Sequence, residues 1–137
     1  TGGGDMIWVS ENANGNRETN LQSDVSIAFA NSTVTGRRMG TRTSEWVAGA
    51  NSGNWFDNVY HIWGSWETTL STGFQRIATV DESQFLLRDF GMCQEIISGV
   101  MIINQDNITG ALDFGDGTCD GIAIFTVNGI EFPINLN

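Results

Sequence analysis

Ile122-Ala123-Ile124-Phe125-Thr126-Val127-Asn128-Gly129-Ile130-Glu131-Phe132-Pro133-Ile134-Asn135-Leu136 spells a β-hairpin. Asn-Gly accepts positive φ at both central positions of a type I′ turn, whose twist matches the strands it joins. After the turn, Ile130, Phe132, Ile134 and Leu136 fall on one face, and Glu131, Pro133 and Asn135 on the other. Pro133 has no amide to give to a ladder, so the last strand reads as a sheet edge.

Working back from this hairpin, extended segments continue to appear. Ile108 to Phe114 and Ile96 to Ile103 are the next strands, the latter apolar on both faces like a central strand, with Asn104 to Asn107 as the turn between them. Gly73 to Val80, Val59 to Thr68 and Thr41 to Ala48 are rich in β-branched and aromatic residues. Val25, Ile27 and Phe29 alternate with polar or small residues. Only Asp81 to Phe90 offers helical spacing, with Asp81 or Ser83 as cap, and it reads equally as a strand or a crossing loop. The expected fold is all-β, an antiparallel β-sandwich of about 8–10 strands. The 137 residues suit one domain with its own core.

Residues 1–24 read differently. Asp5 to Ser10 is a candidate strand with Met6, Ile7, Trp8 and Val9 at its centre, and Glu11 to Asp24 reads as a polar linker. This is an N-terminal extension ahead of a sandwich domain over 25–137. Its strand is the first strand of the domain, a donor strand for a neighbouring copy, or a tail. The start at Thr1 carries no basic and apolar leader, so the chain reads as a mature, processed form.

The formal net charge is −10, and all six basic residues are arginine. Such a surface repels phosphate backbones, and nucleic acid is not an expected partner. No apolar run reaches the length of a membrane span. Charged residues make up 16% of the chain, against roughly 25% in ordinary soluble domains. Asn, Ser, Thr and Gly carry the polarity instead, which suits an extracellular surface and one that lies against other surfaces.

Cys93 and Cys119 are the only cysteines. An even count outside the cytosol suggests one disulfide; the other reading is two buried thiols. With His61 as the only histidine, a Cys/His zinc site is not expected.

Asp113, Asp116 and Asp120 lie among glycines in Leu112-Asp-Phe-Gly-Asp-Gly-Thr-Cys-Asp-Gly121. Oxygen-rich loops of this kind hold Ca²⁺, the one cofactor considered, but aspartates also cap tight turns, and the order is not that of an EF-hand. Trp46, Trp55, Tyr60, Trp63 and Trp66 crowd a short region beside Asn51, Asn54, Asp57 and Asn58. Indole faces stack on sugar rings, so polysaccharide is a candidate partner; the same residues serve equally as core or subunit contacts. Trp63 and Trp66 are three apart, which places them on opposite faces of a strand and at least one of them in the core. Asn31-Ser32-Thr33 and Asn107-Ile108-Thr109 fit the glycosylation tripeptide at Asn31 and Asn107. No nucleophile–base pair or phosphate loop stands out, so catalysis is not expected.

Thr41-Arg42-Thr43-x-x-Trp46-x-x-Gly49, Asp57-x-Val59, Ile62-x-Gly64, Cys93, Ile97-Ser98-Gly99-Val100, Leu112 to Asp120, Val127-Asn128-Gly129 and Ile134-x-Leu136 occur in this order. Over residues 36–137 this resembles a group of secreted or lipid-anchored surface proteins of Bacteroidota, most specifically in Asp-Phe-Gly-Asp-Gly-Thr-Cys-Asp. The resemblance implies an exported β-rich protein with Cys93 and Cys119 paired; it implies no activity. The chain lacks the N-terminal cysteine of lipid-anchored members. The function expected is that of an extracellular structural protein, a subunit of a surface fibre, filament or layer that binds copies of itself. A cell-surface carbohydrate-binding or adhesin module is the alternative.

Overall fold

The computed structural model describes residues 2–137. It contains β1 (Gly2–Glu11), β2 (Arg17–Ala28), β3 (Thr35–Ala48), β4 (Val59–Leu70), β5 (Gln75–Val80), β6 (Leu86–Asp89), β7 (Ile96–Gln105), β8 (Ile108–Asp116), β9 (Ile122–Val127) and β10 (Ile130–Asn135). Two single 3₁₀ turns, Trp55–Asp57 and Glu82–Gln84, interrupt them. All ten strands belong to one antiparallel sheet in chain order, with β1 and β10 at its two edges. The all-β antiparallel class and the strand number are as expected, and the hydrogen bonding runs unbroken from edge to edge.

Between β4 and β7 two short strands share one place. β5 pairs the second half of β4 and β6 the first half, and both pair β7. The Asp81–Phe90 segment is therefore a crossing over residues 81–85 followed by β6 itself. Asp81 caps its single turn by accepting from the Ser83 amide at 2.9 Å.

A flat sheet would leave both faces wet. Here Val80 and Leu86 are each 3% exposed and Ala123 is 1% exposed, so the sheet must curl around them. With Phe114 they form the buried cluster, against which Ile62, Trp63, Trp66, Met101, Leu112 and Leu136 pack. The register explains which residues turn inward: Trp66 faces Ala78, Ala78 faces Ile103, Met101 faces Leu112, and Leu112 faces Phe125. Gly110 lies where a Cβ would meet the Phe125 ring at 2.4 Å, so the absence of a side chain there leaves room for that ring.

The hairpins are as read. Asn128 and Gly129 have φ of 52° and 75°, and Asp106 and Asn107 have 50° and 69°. Cys93 and Cys119 form a disulfide that ties the β6–β7 turn to the β8–β9 loop. No helix among the described residues is long and apolar enough to cross a membrane.

The expected linker is where the structure corrects the reading. Glu11 to Asp24 is a short turn followed by most of β2, and the boundary drawn after residue 24 falls inside that strand. Leu21 is the only large apolar residue between Glu11 and Asp24, so the period-2 signal of Leu21, Val25 and Ile27 is thin at its start. β1 and β3 supply hydrogen bonds to β2 from both sides, and that lateral pairing makes up for weak local preference.

Candidate functional site

β1 pairs its whole length with β2, from Gly2 opposite Ser26 to Glu11 opposite Arg17. Its other side pairs with no strand among the described residues. Met6, Ile7, Trp8 and Val9 are 61%, 65%, 44% and 59% exposed. The predicted assembly strand is thus built into its own sheet, and it is also that sheet's free edge. It has ten residues and carries charge at Asp5 and Glu11, but neither proline nor lysine, two of the devices that blunt natural edges.

The far edge is blunted. Leu136 donates its amide to the Gly121 carbonyl at 2.8 Å. That bond fixes the alternation, so Ile130, Phe132 and Ile134 bond to β9 while Glu131, Pro133 and Asn135 turn their backbone groups outward. Pro133 thereby places its missing donor in the middle of the outward row.

Glu45 on β3, 8% exposed, holds the β1–β2 turn in place. Its Oε1 accepts from Asn12 Nδ2 at 2.6 Å and Asn16 Nδ2 at 2.9 Å. Those two bonds, Asn16 first, lower its pKa below the ordinary 4.5, against the opposing effect of burial. His61 Nδ1 lies 3.9 Å from Glu45 Oε2, and its ring stacks on Phe85 at 3.7 Å. Burial lowers the His61 pKa from 6.5, with the Glu45 charge opposing. Sequence reasoning missed Glu45; an acid in a strand, here between Ser44 and Trp46, carries no signal for a partner about thirty residues away.

Both shifts act in the same sense. A carboxyl lowered by folding stabilises fully above its unfolded pKa and loses that contribution as pH falls through the folded value. A histidine whose pKa is lowered by folding likewise contributes fully above pH 6.5 and loses that contribution as pH falls below it. Unfolding free energy, followed by urea titration, is therefore expected to fall steadily from pH 7 downward, and Glu45→Gln to flatten the part below pH 4.5.

The aromatic residues divide into two sets. Trp46 stacks on Tyr60 at 5.7 Å, Tyr60 meets Phe90 edge-on at 6.1 Å, Phe90 meets Trp55 at 5.8 Å, and Trp55 stacks on Phe56 at 3.8 Å. Trp55 and Phe56 are each 53% exposed. Trp55 rims a groove of 380 Å³ lined also by Asn58, Tyr60, Arg88 and Phe90. The Arg88 guanidinium covers Phe90 at 4.5 Å, and its buried Nε has no hydrogen-bond partner. Trp63 and Trp66 instead pack on the core; Trp63 sits where the partner of β4 changes from β6 to β5. Phe90 joins the surface set unforeseen, since its place depends on β6 pairing with β4.

The aspartates are not gathered together. Asp113 accepts from the Gly115 amide at 2.9 Å, Asp116 from Thr118 at 3.1 Å, and Asp120 from the Ile122 amide at 3.0 Å. Each closes its own turn, and among the described residues the one cluster with metal-ligand spacing is Cys93, Glu95 and Cys119. Its sulfurs are bonded to each other and are not thiolate ligands. Asn31 and Asn107 are exposed in turns, at φ of 59° and 69°.

The chain matches no family model, no curated protein and no solved structure.

Proposed function

We propose that this chain is a structural component of an extracellular assembly, a subunit of a surface fibre or layer joined by β-strand and apolar contacts. The observation that carries the reading is unspent surface. A folded monomer of 14.9 kDa is expected to expose about 7,000 Å², whereas this one exposes 8605 Å². The excess, roughly 1,600 Å², is about twice what one partner gives to a standard interface. A subunit that propagates an array needs two contact surfaces. The edges supply apolar material for both: Met6 to Val9 on β1, and Ile130, Phe132 and Ile134 on β10, exposed by 58%, 45% and 40%. The disulfide suits an oxidising place outside the cytosol, as does the resemblance to exported Bacteroidota surface proteins. Negative-stain images of the native material are expected to show filaments or sheets; protein that stays monomeric at every concentration would overturn the proposal.

The groove beside Trp55 favours a second reading, a polysaccharide-binding module of the same surface. Flat exposed rings and the Asn58 amide suit a sugar chain. Trp55→Ala is expected to abolish glycan-array signal, and a wild-type protein silent on the array would end this reading.

A further inference from the structure

The free edge of β1 has a pattern that fits itself. Asn12 donates its amide to the Asn16 carbonyl at 2.9 Å. From that bond the alternation runs up the strand: Ser10, Trp8, Met6 and Gly4 bond to β2, while the backbone groups of Glu11, Val9, Ile7, Asp5 and Gly3 point outward.

Antiparallel pairing of this edge with a second copy of itself has one register that uses every outward residue. Ile7 then faces Ile7 of the other copy, Asp5 faces Val9, and Gly3 faces Glu11. No like charges oppose each other. Shifting by two residues in one direction sets Asp5 opposite Glu11, which repel. Shifting the other way leaves Glu11 without an outward partner among the described residues. In the full register Met6 of each copy lies opposite Trp8 of the other, and sulfur beside an aromatic ring is a favourable contact. Pairing β1 with β10 of another copy is poorer, because Pro133 interrupts that row.

We propose that two copies of this chain join through β1, antiparallel about a two-fold axis at Ile7, and so extend one sheet across the dimer. This rests on the assembly reading and names its repeating unit: an isologous dimer, whose remaining exposed surface is left for contacts between dimers.

The test exploits the self-facing residue. Ile7 is 65% exposed and its amide points away from β2, so its replacement leaves the hairpin intact. Sedimentation of the wild-type protein is expected to show a dimer. Ile7→Glu and Ile7→Lys are each expected to weaken it by roughly a hundredfold, since like charges then meet on the axis. An equimolar mixture of the two variants is expected to dimerise again. Ile7→Pro, which removes only an outward donor, is expected to give a monomer with unchanged circular dichroism. A wild-type monomer, a dimer indifferent to Ile7→Glu, or two variants that fail to rescue each other would overturn the proposal. Filaments that persist in Ile7→Glu would retain the assembly reading while removing β1 pairing from it.

Discussion

Replacing Cys93 and Cys119 together by serine is expected to lower the unfolding free energy by about 3.5 kcal/mol. The bond closes a loop across a sequence separation of 26 residues, and the estimate is the chain entropy that this closure removes from the denatured state. The native side gives little to replace it. Among the described residues the buried apolar ones are few, and no large side chain is below 2% exposure. One end of the cross-link, Cys93, is itself buried, at 6% exposure. For a domain of this size the loss corresponds to a fall of about 12 °C in Tm. Urea titrations of the oxidised protein and the double variant check it. The variant's m value is expected to rise, because its denatured chain exposes more surface. A loss under about 1 kcal/mol would mean that the bond constrains little in the denatured chain. The double variant is needed because a lone thiol left at exposed Cys119 would cross-link molecules.

Local chemistry in the sequence was enough for the strands, the turns and one edge. Asn128-Gly129 fixes a hairpin by backbone preference alone, and Pro133 marks an edge because a missing donor is missing in any context. What failed to show was anything decided by sideways pairing. β2 starts at Arg17 and β3 at Thr35, in stretches such as Arg37-Arg38-Met39-Gly40 that have weak strand character on their own. Asp24 on β2 and Arg37 on β3 meet at 2.6 Å, a pair that exists only once the register is set. The curl of one sheet was likewise invisible, because alternation tells which face is apolar and not what covers it. The candidate sites divide on the same line. Exposure of Met6 to Val9 follows from β1 being last in the sheet order, which no local pattern states. The surface aromatic set depends on β6 sharing the place of β5. The aspartates could be read as turn formers or as ligands, and the structure uses each for a turn.

Gly64→Ala is expected to cost about 4 kcal/mol, the sum of backbone strain and forced separation of strands. Gly64 has φ of 144°, and a Cβ there would stand 2.2 Å from the Thr41 carbonyl oxygen and 2.9 Å from the Arg42 Cα. Gly40, on the facing strand, is as confined: its Cβ would meet the Ser65 carbonyl oxygen at 2.4 Å and the Trp66 Cα at 2.5 Å. None of these atoms is the end of a flexible side chain, so the strands themselves must move. The place matters, because β4 changes partner here, with Ile62 opposite Leu86 and Gly64 opposite Val80. Pushing β3 from β4 flattens the curl at the point where it covers Val80, Leu86 and Trp66. Two further variants separate the causes. Gly53 has φ of 71° with nothing within 4 Å, so Gly53→Ala carries strain alone, about 1–2 kcal/mol. Gly40→Ala carries collision without a positive φ and is expected to lie between the two. If urea unfolding places Gly64→Ala no lower than Gly53→Ala, then the close approach of β3 and β4 is not what bends this sheet.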